Sequence, residues 1–386
     1  MKIQFEKNPE QIELIKALAS ENKTVSMQAQ EAFAAFISDV VLQVLLQAGT
    51  ASMIYRDIEF DEDDSPSIPL DLYYGQGEGT ISVWSQTVGG GLPSNLQQGL
   101  QEMKLNTYRL DSAISMEKRY VRRARLDVVA AGLERMANEL LVKQERNAWA
   151  VILKAAAEAT TAQNSGGTVL NHIFRSTTDS VFDIDTLNKL WTRVRRINAA
   201  YTGGTPLNLQ ARGLTDIFVS PEVKEQIRAF AYQPMNTRGA GGGAAVPATS
   251  GVLGLPNGVR EEIFRGSGTQ EIFGVTIHEM LELGLGRKYN TLFASFATAA
   301  NKTYYKSDES SGGATVTASA DELIVGIDAT RNAFLRPVAI QSESRGQVKV
   351  LPDDQFLARS QKVGFYSYVE EGRVCTDARG VVGVLL

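Results

Sequence analysis

The residues best suited to binding a metal ion are four consecutive acids, Asp61, Glu62, Asp63 and Asp64. Carboxylate oxygens are the ligands that Ca²⁺ and Mg²⁺ prefer in proteins. The spacing of these acids matches no calcium-binding loop, however, and a run of acids is usually a solvated or ion-pairing turn. We therefore predict no metal site here.

Basic residues that could pair with these acids lie where a long helix is predicted to begin: Lys118, Arg119, Arg122, Arg123 and Arg125. The same cations could meet nucleic acid. The formal net charge of -5 argues against a cationic surface over the whole chain. We therefore favour pairing with carboxylates of the same chain or of a neighbouring copy, the acids of residues 61–64 among them.

Acid–base chemistry could involve His278, which lies near Glu279 and Glu282 in the sequence. A single histidine beside acids is more often structural, and His172 is the only other histidine. The Gly-x-Ser-x-Gly and His-Glu-x-x-His motifs are both absent. Catalysis by Asp and Glu alone stays open, but we assign no catalytic residue.

Glycine-rich stretches at 75–79, 239–243 and 284–286 do not have the pattern of nucleotide-binding loops. No Gly-Lys-Ser/Thr follows 239–243, as a phosphate-binding loop requires. The other two do not lie between a strand and a helix in a dinucleotide-binding pattern. We predict no cofactor.

Composition narrows the class of protein further. The chain has 386 residues, 43% hydrophobic and 22% charged, which suits two or three compact units with a sizeable core. The single cysteine, Cys375, excludes an intrachain disulfide and any zinc site with two thiolates. The N-terminus lacks the apolar core of a signal peptide, and no apolar run approaches the ~20 residues of a membrane span. We expect synthesis in a reducing cytosol and no membrane partner.

The dominant predicted element is a helix over 116–159. Leu126, Val129, Leu133, Met136 and Leu140 recur at steps of three and four, which is the period of one helix face. A second apolar face runs beside the first through the alanine-rich end of the helix. A continuous helix here would be roughly 60 Å long, so it needs support along its length.

The other elements are predicted from local pattern. Residues 1–50 hold one or two helices too small for their own core, so they must dock on something. Residues 80–114, with Trp84, form a long two-stranded arm that needs another molecule to lie on. Further on, the patterns predict helices over 183–201 and 221–232, the latter capped by Ser220, and strands over 214–219, 271–277, 289–297 and 323–329. The tail, 362–386, is predicted as three strands with turns at 370–372 and 377–380.

In this order, the elements resemble the Hong Kong 97-type major capsid proteins of tailed bacteriophages. Two stretches strengthen the resemblance: Asp216 to Lys224, with its strand followed by Ser-Pro-Glu and a helix, and Gly372 to Val382, which is similar to the family's closing hairpin. The resemblance implies an α+β fold with an N-terminal arm (1–53), an extended β E-loop (54–115), a peripheral domain with the spine helix (116–165 and 346–386) and an axial domain (166–345).

The function implied by the resemblance is self-assembly into pentamers and hexamers of an icosahedral shell that encloses double-stranded DNA. The implied partners are other copies of the chain, portal and scaffolding proteins, a decoration protein and, by non-specific contact, DNA. The implied location is the virion capsid after synthesis in the host cytoplasm. Asp61 to Asp64, Trp84, Arg119, Arg122, Arg123 and Arg125 are the candidate intersubunit residues.

The sequence departs from the family's pattern in two ways, and two alternative functions stay open. Residues 1–50 are too short for both an arm and the helical scaffolding segment of many relatives, and we place no Lys–Asn crosslink. An encapsulin-type nanocompartment would share the fold but enclose an enzyme. A soluble α/β hydrolase is the remaining alternative, from another class of protein.

Overall fold

The computed structural model describes residues 9–18, 20, 22, 24–34, 49–61, 64–69, 102–122, 126–162, 169–202, 213–232, 270–272, 274–306, 313–340, 348–353 and 362–386. Its helices are α1 (Pro9–Leu18), α2 (24–34), α3 (Lys118–Arg122), α4 (Leu126–Glu158), α5 (Ile184–Thr202), α6 (Pro221–Tyr232) and α7 (Lys288–Ala299). Short 3₁₀ turns lie at Ala51–Met53, Ala329–Arg331 and Ala378–Gly380.

The strands of the first half of the chain are β1 (Tyr55–Asp61), β2 (Ser67–Pro69), β3 (Glu102–Lys104), β4 (Thr107–Glu117), β5 (Thr160–Ala162), β6 (Val169–Asn171) and β7 (Ile173–Arg175). Those of the second half are β8 (Asp216–Val219), β9 (Gln270–Ile272), β10 (Val275–Glu279), β11 (Leu323–Ile327), β12 (Phe334–Ile340), β13 (Lys349–Asp353), β14 (Lys362–Gly372), β15 (Val374–Cys375) and β16 (Val381–Leu385). The predicted α+β class is confirmed. Of the helices within these ranges, none has the length and apolarity that a membrane span needs.

The first of two compact units comprises Met1–Leu70, Gly99–Trp149 and Phe334–Val374. Its sheet has the order β1-β12-β14-β13, and β4 pairs with β14. β4 and β14 are antiparallel over all eleven residues of each strand. Because side chains alternate along a strand, every second residue of β14 points to the same face.

The N-terminal helices and part of α4 contribute to the core of this unit, together with β4, β13 and β14. The buried side chains are Ile15, Leu18, Ala29, Phe33, Ala34, Leu110, Val121, Met136, Ala137, Leu140, Val348, Val350, Val363, Phe365 and Val369. The ring centroids of Phe33 and Phe365 lie 5.3 Å apart. The N-terminal helices therefore dock on the core of their own chain.

The second unit comprises Asp71–Gln98, Ala150–Ala333 and Cys375–Leu386. Its sheet has the order β7-β16-β11-β8-β10-β9, and β10 is parallel to β8. Apolar residues of α5 and α6 pack with β8, β10, β11 and β16 in one buried cluster. The last strand, β16, thus lies in this sheet, whereas β14 lies in the other. The units divide the chain at other residues than the four predicted domains, whose assignment stays a prediction.

The helix predicted over 116–159 is confirmed over 118–122 and 126–158, whereas Met116 and Glu117 are strand residues. β4 continues to Glu117, α3 follows at once, and α4 then runs for 33 residues, or roughly 50 Å. Met136 and Leu140 of the predicted face are buried. The side chains of Leu126, Val129 and Leu133 lie outside the described set. Helices α5 and α6 are also confirmed, and the Ser220 hydroxyl caps α6 by accepting from Val223 N at 3.1 Å.

One strand prediction was wrong: residues 289–297 lie in helix α7. Tyr289, Phe293 and Ala297 recur every four residues and are buried, so the aromatic content that indicated a strand follows a helical period. Asn290 fixes the helix, because its side-chain amide donates to Ala318 O at 2.8 Å and Asp321 O at 2.6 Å.

The predicted turn at 370–372 was also wrong. Glu370, Glu371 and Gly372 are the last residues of β14, paired with Arg109, Tyr108 and Thr107 of β4. A Glu-Glu-Gly sequence is typical of a turn, but here buried cations stabilise the middle carboxylate inside the sheet. The predicted turn at 377–380 does bend the chain, as the 3₁₀ turn Ala378–Gly380.

Candidate intersubunit surface

Strands β2 and β3 form a short antiparallel ribbon, which brings together the two ends of the segment 70–101. Ser67 of β2 lies opposite Lys104 of β3, and Pro69 lies opposite Glu102. Ile68 is buried at the ribbon with Leu105 and Leu335, and Ile58, Met103 and Val374 pack around them. The chain thus leaves and re-enters the first unit at adjacent points that an apolar cluster anchors.

A second anchor holds the chain just before β1. The Glu145 carboxylate of α4 accepts from Thr50 Oγ1 at 2.8 Å and from Ala51 N at 3.0 Å. The indole of Trp149 donates to Thr50 Oγ1 at 3.1 Å, and Tyr55 Oη donates to Ala148 O at 2.9 Å. The long helix therefore positions residues 50–55, which lead into β1.

The acidic stretch lies at the end of β1. Asp61 and Asp64 are exposed, and Asp64 N donates to Asp61 O at 2.9 Å, which bends the chain. Within the described part of the chain, no group of three or more His, Cys, Asp or Glu side chains could hold a metal ion.

Arg119, a candidate partner of these acids in a neighbouring copy, forms an ion pair with Glu117 of its own chain. Its guanidinium also lies 4.9 Å from the ring centroid of Tyr120. Glu62, Asp63, Trp84, Arg123, Arg125 and the side chain of Arg122 lie outside the described residues. The predicted intersubunit pairing of acids and arginines therefore stays a prediction.

The charged cluster around Glu371 was missed by sequence reasoning. Its fully buried carboxylate accepts from Arg336 Nε at 2.7 Å, Gln144 Nε2 at 3.1 Å, Tyr108 Oη at 3.1 Å and an Arg373 nitrogen at 3.2 Å. Burial and the Glu371 charge raise the pKa of Tyr108 to about 12. The cluster joins β14, β12, β4 and α4. No local signal distinguishes Glu371 from its neighbour Glu370.

An aromatic platform on the other face of β14 was also missed. The Arg109 guanidinium lies 3.6 Å from the ring centroid of Tyr368, and it donates to Tyr366 Oη at 2.9 Å. Tyr366 Oη donates to Asp111 at 2.7 Å. The sequence predicted a strand over 362–369, but it did not indicate that the tyrosines of this strand contact Arg109 and Asp111 of β4.

His278 contacts neither of the acids next to it in sequence. Its Nε2 lies 2.8 Å from Asp216 Oδ1, and its ring stacks on Phe218 at 5.0 Å. Glu279 instead pairs with Lys224 at 2.7 Å. Burial would raise the pKa of Asp216, but the His278 and Thr215 hydrogen bonds outweigh it and lower that pKa. The parallel register of β8 and β10 creates this pair.

His172 forms a hydroxyl–imidazole pair that the sequence did not reveal. Its Nδ1 lies 2.9 Å from Ala378 O and 3.0 Å from Val381 O, so Nδ1 carries the proton and Nε2 accepts from Thr161 Oγ1 at 2.7 Å. Thr161 is 2% exposed and His172 1% exposed, so no substrate reaches the pair. Burial lowers the pKa of His172 to about 4.

Comparison with solved structures finds similar chains in particle-forming proteins. The chain is similar to a capsid protein of Cyanophage P-SCSP1u, with 14% identity, 86% of each chain covered and a TM-score of 0.47. It is similar to the capsid of a native GTA particle, with 12% identity, 88% and 90% covered and a TM-score of 0.46. A virus-like particle from Pyrococcus furiosus gives 9% identity, 91% and 99% covered and a TM-score of 0.42. No family model and no curated protein matches the sequence.

Proposed function

We propose that this protein is the major capsid protein of a tailed bacteriophage, a structural subunit that assembles into an icosahedral shell. The observation that carries the proposal is the ribbon of β2 and β3, which closes the segment 70–101 on the first unit. The anchored ribbon lies inside residues 54–115, which the sequence resemblance assigns to the E-loop. Because β1 and β4 of that range pair with β12 and β14 of the same chain, we assign the extended part of the E-loop to 70–101. Long strand β4 and helix α4 then follow in the expected order.

In this proposal, subunits interact through extended parts rather than through a single pocket. The segment 70–101 reaches a neighbouring copy, and weak contacts repeated around rings of five and six close into a stable shell. Portal and scaffolding proteins, a decoration protein and packaged DNA are its further partners. The subunit is made in the host cytoplasm.

The test is to express the full chain alone and with its neighbouring genes, then examine it by size exclusion and negative-stain electron microscopy. Shells, or rings of five and six subunits, support the proposal. A monomer that persists when the neighbouring genes are co-expressed contradicts it. Shells that enclose an enzyme instead of DNA would favour the encapsulin alternative.

The hydrolase alternative receives no support from the described residues. Its best nucleophile–base pair is Thr161 and His172, and both side chains are buried. A base with a pKa of about 4 would also be a weak proton acceptor for a hydroxyl at neutral pH.

A further inference from the structure

Helix α5 carries a concentration of positive charge, as residues 118–125 do at the start of the long helix. From residue 186 to residue 215 the sequence contains no Asp or Glu, but it contains Lys189, Arg193, Arg195, Arg196 and Arg212. The whole chain has a net charge of -5. Four of these five cations lie on α5, so this helix of an acidic protein carries a local excess of positive charge.

The cations of α5 lie off its apolar face. Leu187, Leu190, Val194 and Ile197 of α5 are buried in the second unit. Lys189, Arg193 and Arg196 follow at steps of four and three, which places them in one row at about 5–6 Å spacing. Arg195 and Arg196 are exposed, and Arg193 is partly buried at the edge of the row.

Two of the three arginines of α5 lie against aromatic rings. The Arg195 guanidinium lies 5.3 Å from the Trp191 ring centroid, and that of Arg193 lies 5.5 Å from the Phe174 ring centroid. No carboxylate in the described part of the chain lies within ion-pair distance of them. Burial without such a partner lowers the pKa of Arg193 to about 10, so it stays charged at neutral pH.

We propose that the solvent face of α5 is a contact surface for the phosphate backbone of double-stranded DNA. Lys189 pairs with Asp185 of the same helix at 3.0 Å, so the proposal depends on the arginines. The occupant follows from charge complementarity: guanidinium groups of one sign suit a polyanion, and each guanidinium fork can bind phosphate oxygens in a bidentate way. Charge on the exposed face of β4, where Arg109 pairs with Asp111, alternates in sign instead. The inference rests on the proposed function, because it makes this face the one that meets packaged DNA.

The test compares DNA binding by three variants of the full chain. R195Q/R196Q removes two charges from α5, and R195K/R196K keeps them. R228Q/R287Q removes two charges from exposed arginines of the second unit outside α5. Binding of a short random-sequence duplex is measured by fluorescence anisotropy between about 50 and 200 mM salt.

We expect R195Q/R196Q to reduce the salt slope of binding by about two, roughly one for each phosphate that the helix no longer neutralises, for AT-rich and GC-rich duplexes alike. We expect R195K/R196K and R228Q/R287Q to keep slopes close to that of the unmodified chain. An unchanged slope in R195Q/R196Q, or an equal reduction in R228Q/R287Q, overturns the inference.

Electron microscopy of the same variants separates this inference from the proposed function. Shells with no α5-dependent DNA binding overturn the inference and leave the capsid function standing. Loss of shells in R195Q/R196Q with unchanged DNA binding also overturns it, and assigns the face to carboxylates of a neighbouring copy. Absence of shells from the unmodified chain and its co-expressed neighbours counts against the capsid function, whatever the DNA result.

Discussion

Single residues matter most in this protein where charge is buried. The Glu371 carboxylate forms ion pairs with both Arg336 and Arg373, inside a sheet where water cannot take the place of the carboxylate. Removing one partner of a buried ion pair is costly because the other charge stays buried and unpaired. The Glu371 cluster is therefore a point where one change affects three strands and the long helix.

We expect Glu371→Gln to lower the free energy of unfolding by about 3–5 kcal/mol. Glu370→Gln is the matched control. Glu370 is partly exposed and accepts from Thr107 Oγ1 at 2.8 Å, and we expect its substitution to cost about 1 kcal/mol. Urea unfolding followed by circular dichroism measures both variants. Equal decreases would show that the buried cluster has no special weight.

From the burial of His172 we predict that the free energy of unfolding depends on pH. Burial lowers its pKa to about 4, below the ordinary value of about 6.5 in an unfolded chain. Neutral His172 thus stabilises the fold fully above about pH 6.5, and this contribution is lost as pH falls towards about 4, because the unfolded chain binds the proton more readily. His172→Gln should flatten the stability curve between those pH values. A curve parallel to that of the unmodified chain would contradict the assignment.

At the scale of elements, α4 holds the junction between the N-terminal segment and β1, and the Glu145 carboxylate accepts two of the hydrogen bonds there. We expect Glu145→Gln to speed amide hydrogen exchange at Ala51 and to cost about 1–3 kcal/mol, since it weakens a charge-assisted acceptor. Glu139, exposed on the same helix, provides the control Glu139→Gln. Exchange at Ala51 that does not change in Glu145→Gln would show that other contacts hold the junction.

Helices were predictable from the sequence where apolar residues recur at one clear helical spacing. Helices α4, α5 and α6 repeat apolar residues at helical spacing, and the Ser220-Pro221 start of α6 carries its own cap signal. Residues 289–297 also repeat buried residues at helical spacing, at Tyr289, Phe293 and Ala297, but the aromatic content of the stretch led to the prediction of a strand. The Asn290 contacts to the 318–321 segment, remote in sequence, stabilise the helix.

At the scale of the whole molecule, the ribbon of β2 and β3 pairs the residues that flank 70–101, so the first unit holds the two ends of this segment together by itself. Because Pro69 and Glu102 are paired, a short Gly-Ser linker in place of residues 71–100 adds little closure entropy. We expect this variant to keep the unfolding free energy of the first unit and to lose shell formation in electron micrographs. Normal shells from the shortened chain would show that the segment is not an intersubunit arm.

Local pattern in the sequence determined the order of elements, the α+β class and the long helix, because apolar periodicity and capping act over a few neighbouring residues. The resemblance to capsid proteins depended on that order. Only the tertiary structure decided that Glu371 meets Arg336, that His278 meets Asp216, and that β14 and β16 enter different sheets. These contacts join residues far apart in the chain, and pairing between distant strands is set by the packing of the whole core rather than by any local signal.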